Sequence, residues 1–187
     1  MSSEIIQVIQ EQSSLRQAES SDAGLAESEA ESQYLSFEVG NEIFAVSILK
    51  VQEIRAWEHP TFLPNSPEYI NGVLNLRGTI VPVMDLRKRF KFGSYLYDAT
   101  TVIIILKNKI ANKDRLMGCV VDGVSDVFSY DENDISDAPD YASNLDARFI
   151  AGIMSVHKQA VTLLNLNNLL NLEMIDHPFS GDKLRHG

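Results

Sequence analysis

The chain has one cysteine and one tryptophan among its 187 residues. Cys119 has no partner for an internal disulfide, which fits a reducing compartment. Its place in the apolar run LMGCVV reads as a small buried hydrophobe rather than a reactive thiol. Long apolar runs are missing as well. None approaches the roughly 18 residues that a membrane span needs, and no signal-peptide-like segment stands near the start. The expectation is a soluble cytoplasmic protein without membrane insertion. A basic stripe is also lacking: the formal net charge is −10. Phosphate contacts dominate nucleic-acid affinity, so this balance argues against a small-barrel nucleic-acid binder. The short cluster Arg87, Lys88, Arg89 and Lys91 is expected to solvate a helix face.

Catalytic sets are equally scarce. His59, His157, His177 and His186 stand singly in turns or near the C-terminus, without the spacing of metal ligands. The acidic stretch DENDISD fails as a calcium loop, because Ile135, Ser136 and Ala142 fall where a ligand, a glycine and a bidentate glutamate are needed. No glycine-rich phosphate loop and no nucleophile elbow is present. Neither an enzyme, nor a metal, nor a cofactor is expected.

What is present is an acidic tail followed by a balanced body. Residues 1–33 carry seven acids against one base, and hydrophobic residues make up 44% of the whole chain. The first segment lacks the apolar surface to offset its ordering entropy and reads as a disordered extension. Order is expected from Tyr34. YLSFEV and EIFAVSIL flank Gly40-Asn41 as a hairpin with a primed turn, and VQEIRAW continues as a strand. PEYINGVLNL reads as a short helix entered at Pro67. TIVPVMDL reads as an edge or bulged strand because of Pro82, and LRKRF as a short helix. TTVIIILK opens a second set of strands, separated by the polar loop NKIANKD from RLMGCVVDGVSDVFSY. Within that stretch, Asp122-Gly123 is either a turn or a bulge. FIAGIMSV and QAVTLLN form another hairpin, and NLNNLLNLEMI closes as a C-terminal helix. Two sets of about five short strands imply an all-β architecture of two small barrels.

Arg77 interrupts this pattern. In GVLNLRGTIVPVMDL a charge stands between two apolar runs, at a turn where Gly78 takes a positive φ and Asn75 bonds the local backbone. Such an arginine either ties the barrel junction or is held out for another molecule. The run VIIIL cannot place Val102 to Leu106 inside one barrel, so its outward residues meet the other barrel or a partner.

ILKVQEI, GVLNLRGTIVPVMDLRKRF, GCVVDGVSDV, FIAGI and TLLNLNNLL, in that order, resemble the CheW family of bacterial chemotaxis coupling proteins. The resemblance implies two SH3-like, five-stranded barrels with short connecting helices around a shared apolar interface. It assigns residues 34–175 to one domain of two intertwined barrels and leaves 176–187 as a flexible tail. It implies a non-catalytic adaptor between the cytoplasmic tip of a chemoreceptor (methyl-accepting chemotaxis protein) and the regulatory domain of the histidine kinase CheA. The place implied is the inner face of the membrane within receptor arrays, including rings of kinase and adaptor. By position it gives Ile48, Val51, Glu53 and Arg77 to the receptor, Val102, Ile103 and Tyr141 to the kinase, and Asn75 and Gly78 to the turn. A coupling module of another chemosensory pathway is the alternative.

Overall fold

A computed structural model describes residues 32–93, 96–110, 112–137 and 145–171. The expected disordered extension up to residue 31, Tyr141 and the expected flexible tail at 176–187 lie outside the described residues. Ten strands form two five-stranded sheets. They are β1 (Ser32–Val39), β2 (Glu42–Ser47), β3 (Val51–Ala56), β4 (Ile70–Leu76), β5 (Thr79–Asp85), β6 (Val102–Ile110), β7 (Lys113–Val121), β8 (Gly123–Tyr130), β9 (Ile150–Val156) and β10 (Gln159–Leu164). One sheet runs β8-β1-β2-β10-β9 and the other β3-β6-β7-β5-β4. The fold is all-β, with single-turn helices at Leu86–Phe90 and Leu166–Leu169.

The two sheets share one wiring plan. Each has an outer strand, an antiparallel hairpin (β1–β2 or β6–β7), one parallel neighbour (β10 on β2, β5 on β7) and a final antiparallel strand. Along the chain, β1–β5 and β6–β10 are therefore equivalent sets that exchange strands. The first two strands of each set complete the sheet made by the last three strands of the other. The sequence carries the repeat at a constant offset: Ile70, Gly72, Val81, Asp85 and Leu86 match Ile150, Gly152, Val161, Asn165 and Leu166. The equivalence extends to detail. Val73 and Ile153, each just after a matched glycine, bridge to Thr61 and Ser136 of the preceding loops. Asp85 and Asn165 cap the two helices, each accepting from a helix amide through its side chain.

Exchange explains the core. Leu74, Val81, Val83, Ile103, Ile105 and Val120 fill the inside of one sheet, and Tyr34, Ala45, Met154 and Val161 fill the other. A larger cluster between the sheets joins Leu35, Phe37 and Phe44 to Met84, Ile104, Leu106 and Leu169. Both faces of β6 are thus covered: Ile103 and Ile105 point into their own sheet, Ile104 and Leu106 into the shared interface. The inter-barrel alternative for VIIIL is the one observed.

Several expectations need correction. Residues 70–76 form a strand, not a helix. The burial of Ile70, Gly72, Leu74 and Leu76 alternates with period two, and the hairpin with β5 supplies the backbone partners. β5 lies inside its sheet rather than at an edge. Pro82 is tolerated because the ladder to β7 begins only at Val83. NKIANKD is mostly strand, with Asn108 paired to Arg115 and Lys109 to Asp114. Asp122 is the point where the chain passes from one sheet to the other, so the bent strand describes it better than a hairpin turn. Gly40, with φ 65°, makes the expected β1–β2 turn.

Only half of the basic cluster is a solvated face: Lys88 and Lys91 are exposed, whereas Arg87 and Arg89 are drawn inward. Arg87 is 2% exposed and bonds both oxygens of Asp85 (3.2 Å each) and Oδ1 of Asp122 (2.9 Å). Asp122 Oδ2 accepts from the Gly40 amide at 2.6 Å, so this network fastens the β1–β2 turn to the end of β5. Burial alone would lower the Arg87 pKa; the bonds and charges of Asp85 and Asp122 outweigh it and raise it. The Arg89 guanidinium lies over the rings of Tyr69 and Phe149, and burial lowers its pKa.

Candidate functional site

Arg77 and Gly78 form the two-residue turn between β4 and β5, with φ of 51° and 90°. Two positive φ values are the signature of a type I′ hairpin, whose twist matches that of the strands. The Gly78 amide donates to Asn75 Oδ1 at 2.7 Å, which fixes the turn. Gly78 has open space where a Cβ would stand, so its constraint is backbone conformation alone. The turn throws Arg77 outward: its side chain is 85% exposed, and Nη2 stands 3.2 Å from Glu53 Oε2.

Glu53 belongs to β3, one outer strand of the sheet, and the Arg77 turn ends β4, the other. The ion pair therefore joins the two edges of the sheet at one end. Arg55 flanks Glu53 at 3.9 Å and pairs with Glu58 at 2.8 Å. An exposed pair of this kind contributes at most about 1 kcal/mol. Its consequence is positional: the guanidinium fork is held over a groove.

The groove, about 580 Å³, lies between the start of β3, the β4–β5 hairpin and the outer half of the β6–β7 hairpin. Leu76, Met117 and Leu170 form an apolar floor, all buried, and Ile80 stands 62% exposed at the lip. Glu53, Arg77, Lys107, Asp114 and Arg115 make a charged rim, within which Lys107 Nζ meets Asp114 Oδ2 at 3.1 Å. An apolar floor inside a charged rim suits an amphipathic protein segment: apolar side chains fill the floor and the rim fixes register. Among the described residues no group of His, Cys, Asp or Glu is placed to hold a metal ion. Burial pushes the Cys119 thiol up to about 12, which removes it as a nucleophile at neutral pH.

The residues singled out in the sequence do not form one surface. Glu53 and Arg77 meet at the groove. Ile48, 3% exposed, and Val51 lie instead in the inter-sheet core. The turn Ile48–Lys50 carries the chain from one sheet to the other, so its apolar residues pass through the interface. Ile103 is fully buried, which withholds its side chain from any partner, and Val102 is half-buried against the inter-sheet cluster. Tyr141 lies outside the described residues. Ile80, Lys107, Arg115, Met117 and Leu170 were not anticipated. A signal existed for Ile80: in TIVPVMDL strict alternation turns Val81 and Val83 inward and leaves Ile80 outside.

No helix among the described residues is long and apolar enough to cross a membrane. Comparison with known proteins gives the family and the fold. Residues 33–174 match the CheW-like domain. A chemotaxis protein CheW of Klebsiella aerogenes is 40% identical over 141 residues, 75% of this chain and 82% of that protein. The chemotaxis protein CheW of Bacillus subtilis is 33% identical over 149 residues, 79% of this chain and 92% of its own. The solved structure of the scaffolding protein TtCheW from Thermoanaerobacter tengcongensis superposes with a TM-score of 0.70 at 30% identity, covering 79% of this chain and 93% of that one. With one family spanning the strands, the hairpin turn and the groove together, the chain belongs to the CheW-like family.

Proposed function

We propose that this protein is a non-catalytic chemotaxis adaptor that couples the cytoplasmic tip of a chemoreceptor to the regulatory domain of the kinase CheA. The observation that carries the reading is the groove, an apolar floor with the Arg77 fork fixed beside it by Glu53. A receptor tip built of helices offers such a groove one apolar stripe and flanking polar groups. Glu53 and Arg77 contact it directly, while Ile48 and Val51 act from beneath by holding β3 in place. Asn75 and Gly78 set the turn. The kinase is assigned a separate surface, with Val102 and Tyr141 as its members. Working beside membrane receptors, the adaptor itself stays in the cytoplasm and takes part in rings with the kinase.

The test is paired titration calorimetry of the full chain against a receptor tip fragment and against the CheA regulatory domain. Both should bind, and Arg77→Glu should abolish only the first. Loss of both with an unchanged melt would overturn the separation of surfaces, and binding of neither would overturn the adaptor reading.

A further inference from the structure

The groove is flanked by a basic hairpin tip. Lys107, Lys109, Lys113 and Arg115 project exposed from the β6–β7 hairpin, against the single acid Asp114. Opposite them stands Arg77. The segment that precedes Ser32 has matching character. Residues 1–31 begin with the apolar set Ile5, Ile6, Val8 and Ile9 and then carry six of their seven acids, with one base. Apolar residues suit the floor and carboxylates suit the rim.

Position adds to the match. The segment enters the fold at Ser32, two residues before Tyr34, which pairs with Ser47 at the crossover to β3. Lys50 of that crossover donates to Asn108 Oδ1 at 3.0 Å, and Asn108 adjoins Lys107 on the groove rim. Ser32 itself pairs with Tyr130 and donates to Glu132 on the other sheet, so the segment must span from there past the crossover to reach the groove. The 22 residues between Ile9 and Ser32 reach on the order of 25 Å as a flexible coil and about 70 Å at full stretch, ample for a return.

We propose that residues 1–31 are an intramolecular ligand of this groove, with Ile5, Ile6, Val8 and Ile9 on its floor and the acids beside the β6–β7 bases. A tethered ligand acts at an effective concentration in the millimolar range, so even a weak contact occupies the site for much of the time. The segment then competes with whatever else the groove receives. That consequence rests on the receptor reading above; the docking does not.

The experiment uses the full chain with a nitroxide on Ser3→Cys, since buried Cys119 does not take label. Amide broadening should concentrate at Leu76–Ile80 and Lys107–Met117. It should disappear when Ile5, Ile6, Val8 and Ile9 are all replaced by serine, and fade in about 0.5 M salt. Broadening spread evenly, centred elsewhere or unchanged by the serine variant overturns the proposal. So does broadening that arises only between copies, read by mixing labelled chain with unlabelled, isotope-enriched chain. Affinity for a receptor tip fragment is read in parallel and should rise about three- to tenfold in the serine variant. If the label pattern holds while receptor affinity is unchanged, docking stands and the receptor's place in the groove falls.

Discussion

Arg77 occupies a left-handed backbone conformation that costs an L-residue roughly 1–2 kcal/mol. The I′ turn accepts that cost because Gly78 supplies the second positive φ freely and Asn75 receives its amide. Arg77→Lys keeps the charge and loses the planar fork. With a side chain this exposed, stability measured by urea titration should change by less than about 1 kcal/mol, while receptor-tip affinity falls at least fivefold and kinase affinity holds. A clear loss of stability would mean that the arginine is chiefly a structural tie. Ile48→Asp behaves differently. It puts a carboxylate into the inter-sheet core, so a loss of about 4 kcal/mol or more is expected, visible as a collapsed melt before any partner is added. The turn was legible because its chemistry is local. The burial of Ile48 was not, because nothing near position 48 shows that the chain there crosses between two sheets.

Elements repeat in this chain, and the repeat makes its own predictions. A Cβ on Gly72 would overlap the carbonyl oxygen of Thr61, and the backbone has φ 139°. A Cβ on Gly152 would meet Ile135 Cγ2 and stand 3.0 Å from the carbonyl oxygen of Ser136, but on a backbone outside the left-handed region. Gly72→Ala should therefore cost more than about 3 kcal/mol and Gly152→Ala about 1–3 kcal/mol, by chemical denaturation. The β9–β10 turn has no glycine: His157 and Lys158 take φ of 49° and 66°. Lys158→Gly should stabilise by about 0.5–1 kcal/mol, and a loss of stability would show that the lysine side chain makes an unrecognised contact. Strands with clear alternation were legible from the sequence, as were both hairpins at Gly40 and after Ile150. Residues 70–76 were misread because Pro67 imitates a helix start, while the register that makes a strand comes from β5. The offset between Ile70–Leu86 and Ile150–Leu166 would have corrected that reading, since the second copy already read as a hairpin.

The whole molecule is held by an interface that neither half could form alone. The exchange of strands buries both faces of β6, and the Asp85–Arg87–Asp122 network closes the same junction with charge. The sequence showed that VIIIL needed two covered faces; it did not show which strands supply them, because exchange is set by chain crossings. Alkaline pH probes this core. In the folded protein the Cys119 thiol keeps its proton up to about 12, whereas an exposed thiol loses it near 8.5. The unfolded chain therefore releases that proton first, and stability should fall as pH rises above about 9. Tyr34 and Tyr97, whose pKa values burial raises, add in the same direction. Urea titrations between pH 7 and 11 should show the decline, and Cys119→Ala should make it shallower; an unchanged slope would mean that the thiol is not coupled to folding. The central claim is that the groove between the β4–β5 and β6–β7 hairpins receives the receptor. Its most direct test is amide shift mapping of the isotope-labelled full chain during titration with a receptor tip fragment. Saturable shifts confined to Gln52–Glu53, Leu76–Ile80 and Lys107–Met117 are the predicted result, and saturable shifts centred on the β8–β1–β2–β10–β9 sheet, with the groove silent, would contradict it.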